Sequence, residues 1–250
     1  MIVLGLDTTG DTGSVAVWRT RAGLVAERSF EGPRAHSVRL PGELLACLHD
    51  ADLRLEDVDA FGVATGPGSL TGLRVGIATV QGLAFALDRP VVGVSALEAT
   101  ARLAARRTAT TTVLAGAWND AFRGEVFAAL YARSEDGGLL EVDGPSVGRP
   151  EVTARKWSAL AGDGRLVMAG TAVRATRAVL ESAFAGRAYL DEDVLLLAGV
   201  VAEVAAQRAA RGEAMPPHAL QPLYVRRPDA ELARDRAAAA RSTVATPETR

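Results

Sequence analysis

The chain has 250 residues, 48% of them hydrophobic, and a formal net charge of −2. That is enough apolar chain for one large core or two small ones, and it leaves no global basic field for gripping nucleic acid. One cysteine, Cys47, excludes an intrachain disulfide framework and fits a reducing compartment. No basic region leads into an apolar stretch at the N-terminus. The longest apolar run, Val194 to Ala206, is interrupted by Glu203 and falls short of the ~20 residues a membrane span needs. The expectation is a cytoplasmic protein with no signal peptide and no membrane contact.

In chain order, "IVLGLD" reads as a fully apolar strand. "SVAVW" follows after the turn Gly10 to Gly13, and "GLVAERSF" after a turn at Ala22-Gly23. Connections this short cannot carry parallel crossovers, so the three strands form an antiparallel meander. A helix comes next, with Ser37 as its N-cap and Pro41 near its first turn. Val38, Leu44, Leu45, Leu48 and Ala51 are spaced for one buried face. The leucines around Cys47 make it a buried small hydrophobe in preference to a nucleophile. "AFGVATG" is then a strand, Leu70 to Leu87 a helix, "PVVGVS" a strand and Ala96 to Arg106 a helix. This alternation implies parallel pairing through right-handed crossovers.

The pattern breaks at "RRTATTT", Arg106 to Thr112, and restarts. "TVLAGAW", "EVFAALY" and "LLEVDG" read as three more strands. Helical spacing in Val152 to Leu160, a strand "RLVMAG" and a helix from Thr171 to Phe184 follow. The helix Asp193 to Arg208, acidic at its start, is the most apolar of all. The chain is therefore α/β, one βββαβα unit used twice. The first copy spans residues 1–107 and a smaller second copy spans 108–228. From Asp229 the sequence lacks a regular apolar face and reads as a disordered tail or frayed helix.

The stretch with most to explain is "GPGSLTGLRVG", Gly66 to Gly76. It is not a Walker A loop, because the chain's only lysine, Lys156, lies elsewhere, and its GxGxxxG spacing misses the dinucleotide fingerprint. Gly66 and Gly68 suit a turn, with Ser69 as helix cap. Gly72 and Gly76, four apart, share one helix face, and each costs roughly 0.5–1 kcal/mol relative to alanine. Close approach of another backbone would offset that cost, either the chain's own sheet or another subunit. Asp7, followed by Thr8, and Asp120 end equivalent strands of the two copies. Carboxylates facing one cleft from two such ends can position a nucleotide's metal and phosphates, whereas each alone is more often an ordinary turn residue. His36, His49 and His218 lack the spacing of a helical metal site, and no catalytic set is evident.

Four segments, "LGLDTTGDTGSVAV", "PRAHSVRLPGELL", "GVATGPGSLTGLRVGIATVQGLAFAL" and "PVVGVSALEA", resemble the TsaB (YeaZ) family of the bacterial tRNA threonylcarbamoyladenosine machinery. "DAFRGEVF" from Asp120 and "QPLYVR" from Gln221 resemble further segments of that family. The resemblance implies the two-lobed fold of actin, Hsp70 and the sugar kinases. It also implies a catalytic paralogue, TsaD, which holds a metal with histidines. Ala96 and Thr100 of "GVSALEAT" stand where those histidines would be, and alanine has no ligand atom. What is implied is a non-catalytic subunit with no metal and no required cofactor, with ATP or ADP admitted at the cleft, through Asp7, Thr8 and Asp120, or at a composite interface with the partner. Its partners would be a TsaD-like subunit, a second copy in that subunit's absence, a TsaE-like ATPase, and tRNA through the complex. The interface would be the first-lobe helices, through Leu40, Leu44 and Leu48 on one and Gly72, Leu73, Gly76, Ile77 and Val80 on the other. The arginines at 226, 227, 234, 236 and 241 read as solvated surface in preference to a tRNA contact. The rival reading is a stand-alone ATP-dependent kinase or a peptidase of the same fold.

Overall fold

The computed structural model describes residues 1–31, 35–107, 113–134 and 138–226. Strands β1 (Ile2–Asp7), β2 (Gly13–Arg19) and β3 (Gly23–Phe30) form the antiparallel meander that their short connections require. β4 (Ala60–Gly66) adds parallel to β1, and β5 (Val91–Ser95) parallel to β4, giving the order β3-β2-β1-β4-β5. The second sheet is built from β6 (Val113–Asp120), β7 (Val126–Arg133), β8 (Leu139–Gly148), β9 (Arg165–Ala169) and β10 (Ala188–Asp191). Its order, β8-β7-β6-β9-β10, repeats the first step for step. The duplicated two-lobed fold is thus present. Only the short β10 went unread in the sequence.

Helices α1 (Ala35–Asp50) and α2 (Leu70–Ala86) cover one face of the first sheet, where Leu4, Leu6, Val15 and Phe30 meet Leu44 and Val80. Helices α4 (Pro150–Ala161) and α5 (Arg177–Phe184) cover the corresponding face of the second. There Trp118 and Trp157 pack edge to face, 5.2 Å between ring centres. The remaining two helices cross between the lobes. α3 (Ala96–Arg106) precedes the second sheet in sequence, yet Leu97, Ala101 and Ala104 pack on Ala115, Phe127 and Val167 of that sheet. α6 (Ala198–Ala210) follows it, yet packs on β1, β2 and β4 of the first. A cut at residue 107 therefore divides the strands and not the helices.

Three helix readings change. α1 begins at Ala35, so Ser37 lies within it and does not cap it. Val38 and Leu45, expected on its buried face, point outward at 72% and 58% exposure. The helix expected from Thr171 begins at Arg177. Upstream, the Ala172 amide donates to the Trp118 carbonyl and the Trp118 indole to Thr176, which hold this stretch as turns. The helix expected from Asp193 begins at Ala198, because the acidic residues before it are engaged elsewhere: Asp193 with Arg107, and Glu192 with Arg174 and Arg177. First-lobe side chains cap α6 instead. Ser14 Oγ accepts from the Ala198 amide at 3.1 Å and Glu27 from the Gly199 amide at 2.8 Å.

After α6 the chain returns over the first lobe. Met215 pairs with Val91, Gln81 donates to the carbonyls of Pro217 and Leu220, and the Leu223 amide donates to Thr65. It then reaches the second lobe, where Arg226 pairs with Glu125 and lies over the Phe127 ring. The tail read from Asp229 onward lies outside the described residues. Among the described residues no helix is long and apolar enough to cross a membrane.

Candidate functional site

β1 and β6 both end in an aspartate, and Asp7 and Asp120 line one cleft of about 410 Å³ between the lobes. Asp7 is buried, and its Oδ1 accepts from both the amide (2.9 Å) and the hydroxyl (2.7 Å) of Thr9. Burial raises its pKa above the ordinary aspartate value, with the two Thr9 bonds opposing. Asp120 is exposed, and its Oδ1 accepts from the Phe122 amide at 2.8 Å. Phe122 and Arg123 that follow both have left-handed backbones, φ 60° and 58°, and Phe122 stands half-exposed at the cleft mouth.

The other walls are Pro67 to Ser69 before α2, Thr100 of α3, the turn at Gly170-Thr171 and the segment Glu192 to Leu197. Five carboxylates line the cleft: Asp7, Asp11, Asp120, Glu192 and Asp193. Against them stands one described cation, Arg174, already paired with Glu192 at 3.3 Å. Glu192 also pairs with Arg177 and Asp193 with Arg107, so two of the five carboxylates are offset by arginines. Among the described residues no three His, Cys, Asp or Glu side chains converge as a metal site. Ala96 and Thr100 lie one turn apart, both buried, with the Thr100 hydroxyl donating to the Ala96 carbonyl at 2.8 Å.

Thr8, expected beside Asp7 as a nucleotide contact, faces the other way. It is fully buried, and its hydroxyl donates to the Gly72 carbonyl of α2 at 2.8 Å. This also answers the glycine question. A Cβ built at Gly72 would overlap the Thr8 carbonyl oxygen, and one at Gly76 the Thr8 hydroxyl. The Ser69 amide donates to the Thr9 carbonyl at 2.8 Å, while Ser69 Oγ caps the helix at Gly72, as its position predicts. The glycines let the chain's own N-terminal turn press into α2.

The side chains expected at an interface turn inward with them. Leu40, Leu44, Leu48, Leu73, Ile77 and Val80 are buried within the first lobe and offer nothing to a partner. The periodicity was real, but the sheet claims that face. The outer face of the same helices carries Val38, Gly42 and Leu45 on α1 and Ala78, Gly82 and Phe85 on α2, all exposed, with Phe85 at 84%. Beyond the adjacent turns of its own helix, nothing lies within 4 Å of a Cβ at Gly42 or Gly82.

His36 went unread as a site residue. Its Nε2 lies 2.8 Å from the Gly10 carbonyl, and its ring stands edge-on to Phe30 at 5.7 Å. The one signal in the sequence is spacing: His36 precedes Leu40 and Leu44 at four-residue steps, which places it on the inward face of α1.

The family model described as TsaD, tRNA N6-adenosine threonylcarbamoyltransferase, matches residues 30–240. The Escherichia coli K12 protein named tRNA threonylcarbamoyladenosine biosynthesis protein TsaB is 33% identical over 227 residues, covering 90% of this chain and 95% of that protein. The Bacillus subtilis protein of the same name is 36% identical over 141 residues, 56% of this chain and 58% of that protein. Among solved structures, YeaZ from Pseudomonas aeruginosa superposes with a TM-score of 0.73 at 31% identity, covering 89% of this chain and 99% of that one. A second Pseudomonas aeruginosa structure, described as similar to peptidase YeaZ, gives 0.75 at 32% identity, covering 90% and 99%. With this agreement across nearly the whole fold, the chain belongs to the TsaB (YeaZ) family.

Proposed function

We propose that this chain serves tRNA threonylcarbamoyladenosine formation as a non-catalytic cytoplasmic subunit, docking on a TsaD-type enzyme and making it competent. That enzyme would transfer threonylcarbamoyl from its adenylate to N6 of the adenosine beside the anticodon. The observation that carries the reading is the outward face of α1 and α2. Two adjacent helices expose large apolar side chains (Val38, Leu45, Phe85) beside small ones (Gly42, Ala78, Gly82). Small residues admit a partner helix closely, and the large ones supply the apolar contact. The start of α3 supports the non-catalytic part: Ala96 and Thr100 offer no imidazole, and a hydroxyl committed to its own helix is a poor ligand.

The same face accounts for a homodimer when the catalytic subunit is absent, since one apolar surface serves either partner. A TsaE-like ATPase and tRNA join through the complex. ATP or ADP enters the cleft or the composite interface together with a divalent cation that joins the cleft arginines in offsetting the carboxylates. The test is threonylcarbamoyl transfer to tRNA by the cognate TsaD-type enzyme and its supporting proteins, with and without this chain. Transfer that depends on the chain supports the proposal. Transfer at an equal rate without it contradicts the proposal, and phosphate release by the isolated chain, lost in Asp7→Ala, would favour a stand-alone kinase.

A further inference from the structure

The turn from Thr8 to Gly13 has two sides, and its residues divide between them. Thr9, Gly10, Asp11 and Thr12 line the cleft together with Asp7. The other side is packed against both helices that carry the outward apolar face. Thr8 fills the space left by Gly72 and Gly76, and the Thr9 backbone presses on Gly68, where a Cβ would overlap the Thr9 carbonyl oxygen. That is the contact with α2, and it has no slack. The contact with α1 is made by His36. A carbonyl oxygen only accepts, so the proton of the 2.8 Å His36–Gly10 bond sits on Nε2. The ring is wedged between Phe30, Gly13 and Gly72: a Cβ at Gly13 would lie 3.0 Å from Nδ1, and one at Gly72 3.3 Å from Cδ2. Nδ1 is buried and has no hydrogen-bond partner among the described residues. The ring is therefore held by one hydrogen bond and by shape.

We infer that His36 is a positioning residue that pins α1 to the cleft-lining turn, so that the state of the cleft is transmitted to the docking face. The inference rests on the proposed docking role for its functional half, and on this chain alone for its structural half. Movement of the turn from the cleft side displaces Gly10 and Thr8 together, and with them both helices. Asp7 is the cleft-side anchor, since its carboxylate holds Thr9 twice.

The test uses the full chain with two readouts: amide hydrogen exchange along α1 and residues 9–13 in the chain alone, and affinity for the TsaD-type subunit. His36→Ala is expected to speed exchange in both segments and weaken docking, each by about tenfold, the scale of one lost buried hydrogen bond. His36→Gln places an amide donor near the position of Nε2 and is expected to restore both readouts. Asp7→Ala, which frees Thr9 and also removes a carboxylate within electrostatic reach of His36, is expected to move α1 exchange in the same direction. Glu27→Gln, which perturbs the α6 cap in the same lobe, is expected to leave α1 exchange unchanged. Wild-type exchange and affinity in His36→Ala would overturn the inference. So would a His36→Gln chain as impaired as His36→Ala, which also covers the case in which the alanine variant fails to fold. If the unaltered chain does not bind the catalytic subunit at all, the docking proposal fails, and the exchange readout still decides whether His36 couples turn and helix.

Discussion

The ends of β1 and β6 hold equivalent places in a duplicated fold, yet they are built for different work. At the end of β1, Asp7 is buried, its turn is folded back by Thr9, and the far side of that turn is pressed against Gly72 and Gly76 of α2 and Gly68 just before it. At the end of β6, Asp120 is exposed, and the chain leaves through Phe122, Arg123 and Gly124, all with left-handed backbones, toward solvent. The helix after β9 corresponds to α2, but it has eight residues where α2 has seventeen, and no glycine within it. Duplication supplied two copies of one topology. One copy became a tightly packed joint between cleft and helices, and the other an open rim.

The contrast is most easily broken at α2. Gly72→Val should push against the Thr8 carbonyl and cost about 3 kcal/mol, lowering Tm by roughly 6–12 °C in thermal melts. The nearest change on the other rim, Gly124→Ala, meets open space. It should cost only the left-handed backbone penalty of about 1 kcal/mol, near 2–4 °C. Equal losses for the two would mean that the packed joint is not special. Gly82→Ala sharpens the comparison from the outer side of the same helix. With nothing near it, the added methyl should stabilise the isolated chain by roughly 0.5–1 kcal/mol while leaving the fold unchanged.

Acidity probes the buried aspartate itself. Asp7 has a raised pKa in the fold because it is buried, so the native chain holds that proton to higher pH than the unfolded chain does. Its contribution to stability therefore falls as pH rises from the ordinary aspartate value of 3.8 through the raised native one. Asp7→Asn, which keeps an acceptor for Thr9, should remove that part of the slope in denaturant titrations across the same range. A slope unchanged by Asp7→Asn would mean the carboxylate is solvated. An effect of the same small size as that of Gly82→Ala belongs to the contact of Arg226 with Glu125 and Phe127. Arg226→Ala should cost about 0.5–1 kcal/mol, with the part due to the ion pair fading in high salt.

Much of this architecture is legible in the sequence. The short links at Gly10 to Gly13 and Ala22-Gly23 force a meander, and Ser69 ahead of an apolar run marks the start of α2. Cys47 among leucines reads as buried, and it is. Other features are hidden for physical reasons. α1 and α2 carry apolar residues on both sides, so periodicity finds the helices without saying which face the sheet takes. A glycine face invites close approach but does not name what approaches, and here it is Thr8, more than sixty residues earlier in the chain. The exchange of α3 and α6 between lobes leaves no local mark, since the caps of α6, Ser14 and Glu27, lie about 170 residues and more away. His36 shows only a four-residue step to Leu40. Its role depends on a carbonyl in a turn that no pattern encodes.

The central claim is that the inward glycine face of α2 serves the chain's own fold while the outward face of α1 and α2 docks the catalytic subunit. One measurement tests it directly: the affinity of a Leu45→Arg, Phe85→Arg double variant for the TsaD-type enzyme, measured alongside its Tm. Both side chains are exposed, so the account predicts an unchanged Tm and a loss of binding of at least about thirtyfold, the scale of an interface hot spot. Binding at wild-type strength by a chain that melts normally would place the partner elsewhere and contradict the account.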